Sequence, residues 1–352
     1  MVRSNDNVQR VTIIDVAKAA GVSKTTVSRF LSGEYESIAQ ETSKKIEAAI
    51  QSLNYHPNRM ASGLKGRKSH LIGLIVADIT NPFSTAILRG AEDICHQYDY
   101  SLLVCNSDNN PDKERNYILM LQSHQIDGLV IQTTGQNQSL LLELQKDNTP
   151  IVFLDREVSG MNVDLVTVDN RQATYDALDY LLSLGYRDIG YFTQPIADVS
   201  TRTERVRAFK TYMAYMAEQE VNVKSSVYEI DVGNRGLVTA DVKSFTNLEA
   251  TRHKAIFAGN SVMLLKLGIE LQRLGYHIGK DIALIGFDDP EWAQMMGIST
   301  IAQPTYSMGV KALELLLGRI RGDIGEARII RVPGALIGRE STPLVTGLDW
   351  NK

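Results

Sequence analysis

Cysteine, tryptophan and long apolar runs are all scarce in this 352-residue sequence. Only two cysteines are present, Cys95 and Cys105, and both lie in segments with an apolar pattern. A disulfide framework is therefore excluded, and two free thiols in a reducing compartment are expected. No stretch approaches the roughly 18 consecutive apolar residues of a membrane-spanning helix, and residues 1–7 lack a secretory signal's apolar core. These absences predict a cytoplasmic protein without a membrane segment.

Sequence signatures of catalysis and metal binding are missing as well. The six histidines are scattered, with no His-Glu-x-x-His pair and no cysteine–histidine zinc spacing. No Gly-x-Ser-x-Gly elbow is present. The segment 66–69, Gly-Arg-Lys-Ser, ends like a phosphate-binding loop but lacks the glycine that opens one, and it follows no predicted strand. We therefore expect no enzymatic activity, no catalytic residue, no cofactor and no metal site.

Charge is divided unevenly along the chain. Residues 1–69 hold 11 Lys and Arg against 6 Asp and Glu, a net charge of +5. Because the whole chain carries −4, residues 70–352 carry −9. A basic amino-terminal part on an acidic body favours contacts with phosphate groups and predicts salt-dependent binding to nucleic acid. A merely solvated basic surface is the alternative.

Residues 12–31 have the pattern of two short helices joined by a tight turn. Apolar side chains recur at positions 13, 16, 17 and 20, and Gly21 suits the turn because glycine accepts a positive φ. Ser23 is a good N-cap for the second helix, with Val22 and Val27 placed as a hydrophobic staple. The pattern predicts a helix-turn-helix, whose second helix lies in a DNA major groove. An ordinary helical hairpin with a solvated face is the alternative.

The outer face of the second helix carries small polar and basic side chains that can read base edges. Arginine can grip guanine with two hydrogen bonds, and a threonine methyl group can contact thymine. A third amphipathic helix over residues 46–53 completes the predicted headpiece. Together with the hinge residues given below, the predicted DNA contacts are Thr12, Ser23, Lys24, Thr25, Thr26, Ser28 and Arg29.

From residue 71 onward, short apolar runs alternate with helical patterns, in two series that meet near residues 165–170. This alternation predicts an α/β fold with two doubly wound parallel sheets that face a cleft. The predicted strands are 71–77, 102–105, 128–131, 151–154, 165–168, 189–192, 227–230, 255–258 and 282–286. The predicted helices are 83–98, 113–125, 139–146, 171–184, 202–218, 238–247, 262–274 and 308–319, and a strand pair ends in residues 338–342.

Several short motifs make the sequence resemble the LacI/GalR (lactose-repressor) family of bacterial transcription regulators over residues 12 to about 341. They are the segment 54–69 with its Tyr-x-Pro-Asn, the Asn-Pro-Phe turn at 81–83, the Arg-x-x-Ala-Phe helix start at 205–209 and Gly-Phe-Asp-Asp at 286–289. The resemblance implies a two-lobed core like that of periplasmic binding proteins, preceded by an all-α helix-turn-helix headpiece.

The resemblance also implies boundaries between these parts. The headpiece is expected at 1–56, a hinge helix or linker at 57–69, and an effector-binding and dimerisation core at 70–345. Within the core, the amino-terminal lobe is expected at about 70–168 with 304–332. The carboxyl-terminal lobe is expected at about 169–303 with 333–345.

The hinge segment is expected to fold only on DNA, in a dimer. Asn58 lies in its opening motif, and Leu64 matches the leucine that the family inserts into the minor groove, where an apolar wedge kinks the duplex. A linker residue packed on the next domain is the alternative for Leu64. Ser62 and Gly63 replace the family's usual Arg-Ser, and Gly63 disfavours the helix by roughly 1 kcal/mol relative to alanine.

A small effector is implied between the two lobes, where polar residues directly follow the predicted strands. Its expected contacts are Asp78, Phe83, Arg156, Thr201, Arg205, Asn260 and Asp288. For Asp78 the alternative is a turn cap, and for Phe83 it is a place in the core.

Charged neighbours of these residues have other interpretations. Asp155 and Arg156 can form an internal salt bridge instead of contacting a ligand. We interpret Arg202 and Arg207 as solvated helix positions and Asp289 as support for a loop.

The sequence thus predicts a homodimeric, sequence-specific repressor of carbohydrate-use genes that binds double-stranded operator DNA. Its effector is expected to be a sugar or a sugar acid, because the arginines at 156 and 205 resemble those of regulators of gluconate or ketogluconate use. A regulator controlled by a phosphoprotein corepressor and a sugar-binding transport component are the alternatives. The sequence leaves open the operator and the choice between inducer and corepressor.

Overall fold

The computed structural model describes residues 11–55, 68–196, 199–247 and 253–345. The chain divides into two compact units, Met1–Ser69 and His70–Lys352. Two predicted DNA contacts, Asn58 and Leu64, lie outside the described residues.

Within residues 11–55, the first unit contains the α-helices α1 (Ile13–Ala20), α2 (Lys24–Leu31) and α3 (Gln40–Ser52), with a 3-10 turn at Tyr35–Ser37. Their apolar faces meet in a small core, as the helical spacing of the sequence predicts. The buried residues of this core are Val16, Ala17, Ala20, Val27, Ile46 and Ala49.

The turn between α1 and α2 follows the predicted chemistry. Gly21 has a φ of 67°, in the left-handed region that glycine adopts without steric cost. Ser23 is the N-cap of α2, and its hydroxyl accepts a hydrogen bond from the Thr26 amide at 3.1 Å. The predicted helix-turn-helix geometry is therefore confirmed. Ala39 is the N-cap residue before α3, and it provides no side-chain hydrogen bond to the start of that helix.

The second unit contains two lobes, each built on one six-stranded sheet. The strands of the first lobe are β1 (Leu71–Val76), β2 (Ser101–Asn106), β3 (Gly128–Ile131), β4 (Ile151–Leu154), β5 (Asp164–Val168) and β11 (Ile329–Val332). Its helices are α4 (Pro82–Gln97), α5 (Pro111–Ser123), α6 (Gln138–Lys146) and α12 (Thr305–Ile320).

The second lobe repeats this plan. Its strands are β6 (Asp188–Thr193), β7 (Lys224–Glu229), β8 (Lys254–Ala258), β9 (Ala283–Phe287), β10 (Ser299–Ala302) and β12 (Ala335–Ile337). Its helices are α7 (Asn170–Ser183), α8 (Ser200–Glu218), α9 (Arg235–Asn247), α10 (Ser261–Arg273) and α11 (Glu291–Met295).

The two sheets share one strand order. It is β11-β5-β4-β3-β1-β2 in the first lobe and β12-β10-β9-β8-β6-β7 in the second. All pairs are parallel except β10 with β12. The carboxyl ends of parallel strands therefore lie at one edge of each sheet, which is where such folds bind ligands. The predicted α/β class is confirmed.

The chain passes between the lobes at three short connections, which we call the crossovers. They are residue 169 between β5 and α7, residues 303–304 between β10 and α12, and residues 333–334 between β11 and β12. Two strands are present near the carboxyl end, as predicted, but they do not pair with each other, because Pro333 and Gly334 carry the chain from one sheet to the other. β11 pairs with β5, and β12 pairs with β10.

Two elements of the second lobe were absent from the predicted set, β10 and α11. Ser299 and Thr300 begin β10 with polar side chains that are fully buried, so its sequence lacks the apolar run that marks the other strands. The helix α11 has five residues, too few for a helical period to be visible.

Both cysteines are free and buried, as predicted. Burial raises the pKa of the Cys95 thiol to about 12. Within the part of the chain that the structure describes, no helix combines the length and apolarity needed to cross a membrane.

The helices α4 and α12 touch through two glycines. A Cβ atom on Gly309 would lie 2.1 Å from the Ile87 carbonyl oxygen, and one on Gly90 would lie 2.2 Å from the Tyr306 carbonyl oxygen. Because both obstacles are backbone atoms, a side chain there forces the helices apart.

We therefore expect Gly309→Ala and Gly90→Ala each to lower the free energy of unfolding of the full chain by about 1–3 kcal/mol. The matched control is Gly318→Ala, also on α12, where the new Cβ would have its nearest neighbour at 3.8 Å. The control should gain up to about 1 kcal/mol, because alanine favours a helix over glycine. Urea denaturation measures all three, and a Gly309→Ala protein as stable as the control would contradict this packing.

Candidate functional site

The outer face of α2 presents the predicted DNA contacts of the first unit. Lys24, Thr25, Ser28 and Arg29 are exposed. Exposed polar and basic side chains on a second helix fit the contact surface of a helix-turn-helix.

Three other predicted DNA contacts have structural partners within the unit. The hydroxyl groups of Ser23 and Thr26 lie 2.9 Å apart at the start of α2. The Thr12 hydroxyl donates to Asp15 Oδ2 at 2.7 Å at the start of α1. Thr12 and Ser23 occupy the N-cap positions of α1 and α2, and such positions are compatible with contacts to a phosphate backbone.

A cavity lined by both lobes contains all seven side chains that the sequence predicted as effector contacts. They come from the carboxyl ends of β1, β4, β8 and β9 and from the starts of α4 and α8. Three arginines and three aspartates line this cavity, so its formal charges balance.

Arg205 is the most constrained of these side chains, with only 6% of its surface exposed. Its Nε donates to Asn170 Oδ1 at 2.6 Å, its Nη1 to the Gly259 carbonyl at 2.7 Å and its Nη2 to Gln303 Oε1 at 3.2 Å. The guanidinium carbon also lies 3.7 Å from the centre of the Phe287 ring. Of its five N–H groups, two are left for a ligand.

Asp155 and Arg156 follow β4 and are both 7% exposed. The Arg156 Nε lies 4.0 Å from Asp155 Oδ2, so the internal salt bridge is at its outer limit. The Arg156 Nε and the Asp155 Oδ1 atom are both buried without a hydrogen-bond partner. Burial raises the pKa of the Asp155 carboxyl, against the opposing charges of Arg205 and Arg156. A polar ligand could accept a hydrogen bond from the Arg156 Nε and donate one to the Asp155 Oδ1.

The aspartates that end β4 and β9 occupy equivalent places in the two sheets. Asp155 has a φ of 64° and Asp288 a φ of 73°. A non-glycine residue keeps this left-handed conformation only where its surroundings hold it, and such residues cluster at ligand sites. Asp288 is held by the Ser261 amide, which donates to Oδ2 at 2.8 Å, and by the Gln303 side chain, which donates to Oδ1.

Two predicted effector contacts also stabilise local structure. Asp78 Oδ1 accepts hydrogen bonds from the amide and hydroxyl of Thr80, so it caps a turn at the rim of the cavity. Asn260 is the N-cap of α10, and its side-chain nitrogen donates to Gln194 Oε1 at 2.8 Å. Asp78 therefore caps a turn and lines the cavity as well, so the two interpretations of this residue are compatible.

Phe83 and Thr201 are each 7% exposed and line the same cavity. Phe83 also belongs to the hydrophobic core of the lobes, so a core position and a place in the cavity wall coincide.

The prediction of a solvated Arg202 is wrong. This side chain is partly buried, lines the cavity and donates to the Pro195 carbonyl at 2.8 Å and to Gln194 Oε1 at 3.0 Å. Burial and the neighbouring charge of Arg156 lower the pKa of Arg202 to about 10. Arg207 is exposed, as predicted.

Asp289 supports a loop, as the sequence suggested. Its carboxylate accepts two hydrogen bonds from Arg339, from Nη1 to Oδ1 at 2.7 Å and from Nη2 to Oδ2 at 2.9 Å. Asn81, Gln132 and Gln303 also line the cavity but were not predicted. Two of these residues had a signal in the sequence. Asn81 stands in the Asn-Pro-Phe motif, and Gln132 directly follows the strand β3.

A buried carboxylate on α5 shapes the wall behind Arg156. Glu114 is fully buried and accepts from the Thr134 amide at 2.6 Å, both threonine hydroxyls of 133 and 134, and the Asn137 side chain. This ties down the loop after β3, whose Thr133 carbonyl accepts the Arg156 Nη1 at 3.2 Å. Glu114 thus positions the Thr133 carbonyl, which among the described residues is the only hydrogen-bond acceptor of Arg156.

We expect Glu114→Gln to lower the free energy of unfolding by about 1–3 kcal/mol, because the new amide N–H groups face donors and leave them unpaired. Glu143→Gln is the control, since Glu143 is an exposed residue of α6. Urea denaturation of the full chain compares the two, and equal stabilities would show that the Glu114 carboxylate does not hold this loop.

The described residues offer no metal site. Within 11–55, 68–196, 199–247 and 253–345, no three histidine, cysteine, aspartate or glutamate side chains come together in a way that suits a metal ion.

Comparison with known families divides the chain as its two units do. Residues 12–58 match the family described as bacterial regulatory proteins, lacI family. Residues 69–231 match periplasmic binding proteins and the sugar binding domain of the LacI family. Residues 178–342 match a periplasmic binding protein-like domain.

Curated relatives align along nearly the whole chain. The HTH-type transcriptional regulator KdgR of Bacillus subtilis (strain 168) is 43% identical over 332 residues, which cover 94% of this chain and 97% of the relative. The HTH-type transcriptional regulator PtxS of Pseudomonas putida (strain KT2440) is 42% identical over 336 residues, 95% of this chain and 96% of the relative.

Among solved structures, the lac repressor dimer bound to operator and the anti-inducer ONPF shares the fold. It superimposes with a TM-score of 0.79 at 23% identity, over 95% of this chain and 100% of that one.

Proposed function

This chain belongs to the LacI family of bacterial transcription regulators, and on that premise we propose which residues bind operator DNA and which bind the effector. Like these relatives, the chain is a DNA-binding transcription regulator and not an enzyme. Because regulators of this kind act on DNA, we place it in the cytoplasm.

We assign DNA binding to the headpiece, residues 1–56, and effector binding and dimerisation to residues 70–345, with a hinge at 57–69 between them. The single observation that carries the DNA assignment is the exposed face of α2, with Lys24, Thr25, Ser28 and Arg29 on it. A helix-turn-helix dimer places two such helices in successive major grooves, so we propose a homodimer on a near-palindromic operator.

Arg29 is the side chain of this face that best suits direct readout. With wild-type protein, an operator is first selected from a random-sequence library. We expect Arg29→Ala to reduce the preference for this operator over unrelated DNA by about 1–3 kcal/mol, the value of one bidentate contact to a base.

The control is Lys44→Ala, which removes one positive charge from an exposed position on α3. A lysine that binds a phosphate group there strengthens binding to both DNAs alike, so its removal leaves the preference unchanged. Fluorescence anisotropy at fixed salt measures both affinities. Equal losses on operator and unrelated DNA in Arg29→Ala would remove the readout role.

For the effector we propose a sugar acid, such as gluconate or ketogluconate, in the cavity between the lobes. The observation that supports a carboxylate is the pair Arg156 and Arg202. The Arg156 Nε is buried without a hydrogen-bond partner, and burial together with the charge of Arg156 lowers the pKa of Arg202. A carboxylate between them would separate like charges and supply the missing acceptor.

The rest of the cavity suits hydroxyl groups. Asp155 Oδ1 offers an unpartnered acceptor, and Arg205 has N–H groups left over. Phe83 provides an apolar wall against which a carbon chain can lie. We therefore propose the seven predicted residues, together with Asp155 and Arg202, as the effector site.

D-gluconate and D-glucitol test the carboxylate subsite, because they differ only in a carboxylate against a hydroxymethyl group. We expect the full chain to bind D-gluconate at least about tenfold more tightly, since hydrogen bonds to charged groups contribute about 1.5–3 kcal/mol. Arg156→Gln should erase most of this preference in calorimetric titrations, and ketogluconate should behave like gluconate.

Arg207→Gln is the matched control, because Arg207 is an exposed arginine of the same helix as Arg205. It should keep the preference of the wild type. Equal affinity of the wild type for D-gluconate and D-glucitol would contradict a sugar-acid effector. If Arg156→Gln kept the full preference for D-gluconate, the carboxylate would not bind at Arg156.

Binding controls transcription through a shift between lobe arrangements. An effector changes operator affinity only to the extent that it prefers one arrangement over the other. Polar contacts already join the lobes: the Ser261 hydroxyl lies 3.1 Å from Asn81 Oδ1, and Ser200 Oγ lies 3.0 Å from the Glu157 amide. A ligand in the same cleft adds to these contacts or competes with them.

A further inference from the structure

Two adjacent side chains of α8 connect the effector cavity to all three crossovers. Arg205 lines the cavity, and Glu204 precedes it on the side of the helix that faces β11. Arg205 donates to Gln303, which lies in the second crossover, and to Asn170, which directly follows the first. Glu204 pairs with Arg331, which lies just before the third crossover.

The side chain of Asn170 connects Arg205 to Glu204 through two hydrogen bonds. Its Oδ1 accepts from Arg205 Nε at 2.6 Å, and its Nδ2 donates to Glu204 Oε2 at 2.9 Å. Asn170 is fully buried, so its own amide groups find no solvent to replace either bond when it breaks. A movement of the Arg205 guanidinium therefore changes the hydrogen bonding of Glu204 as well.

The ion pair of Glu204 and Arg331 joins the two lobes directly. Arg331 Nη1 lies 3.1 Å from Glu204 Oε1, with 40% and 32% of the two side chains exposed. Arg331 is part of a first-lobe strand, and Glu204 belongs to a second-lobe helix. Beside this pair the Asp169 amide donates to the Val332 carbonyl at 2.8 Å, which ties the first crossover to the third.

We propose that Asn170, Glu204 and Arg331 are positioning residues that transmit the state of Arg205 to the crossovers. We call these three residues and Arg205 the relay. The inference rests on the proposed function in one respect, that Arg205 faces the effector. A ligand that draws the guanidinium toward itself weakens its bond to Asn170, and the ion pair between the lobes adjusts with it.

The first test needs no ligand. In the full chain, Glu204→Gln and Arg331→Met remove the ion pair at partly exposed positions and spare the buried Asn170. We expect hydrogen–deuterium exchange of the amides in residues 165–175 and 329–336 to become about threefold faster or more, the lower range of effects for coupled networks. The double variant should resemble either single variant, because both remove one and the same interaction.

Two controls separate the relay from general loosening. Asp323→Asn breaks an ion pair with Arg328 of 2.9 Å and similar exposure that lies within the first lobe. Ser200→Ala removes a hydrogen bond between the lobes that does not involve Arg205. Neither control should change exchange at the crossovers. Exchange at wild-type rates in Glu204→Gln and Arg331→Met, or strictly additive effects in the double variant, would overturn the relay.

The second test measures transmission with D-gluconate as the probe. The readout is the ratio of operator dissociation constants with and without D-gluconate, beside the calorimetric affinity for D-gluconate itself. We expect both relay variants to keep D-gluconate affinity within about twofold while the ratio moves about threefold or more toward one. If both variants kept the wild-type ratio of operator dissociation constants, the relay would be overturned. If D-gluconate did not change the operator affinity of the wild type, the sugar-acid proposal would be contradicted, and the exchange experiment alone would decide on the relay.

Discussion

A buried guanidinium group in the cleft, that of Arg205, holds several distant parts of the second unit together. The Arg205 side chain has only 6% of its surface exposed, so its N–H groups need partners within the protein. Those partners come from a helix start, a strand end and a crossover, and an aromatic ring covers its face. The arginine therefore fixes these parts relative to each other, and any ligand it binds acts on all of them.

Much of the fold was predictable because its sequence signals are local. Gly21 and Ser23 dictate the turn and the cap of the headpiece by their own conformational and hydrogen-bonding properties. Strands such as β3 and β4 were predicted to the residue, since they are four-residue apolar runs between polar segments. The parallel order of the sheets followed from the alternation of strands and helices.

The candidate site was predictable only in part. Strand-end polarity and family motifs brought seven side chains to one cavity. Gln303 was missed because it follows β10, a strand without an apolar run. Arg202 was missed because three arginines occur within six residues of α8 and look alike in sequence. The roles of Asn170 and Glu114 cannot be predicted from the residues next to them in the sequence, because they depend on contacts between distant elements.

The protein is a transcription regulator. We propose that its basic headpiece binds DNA and that its acidic body controls this binding through the effector. Allosteric coupling is reciprocal, so an effector that alters operator affinity must itself bind the operator complex with an affinity altered by the same factor. The most direct measurement is the operator affinity of the full chain, by fluorescence anisotropy, without and with saturating gluconate or ketogluconate. We predict a clear change with at least one of these acids and none with D-glucitol. Identical operator affinities under all of these conditions would contradict the account.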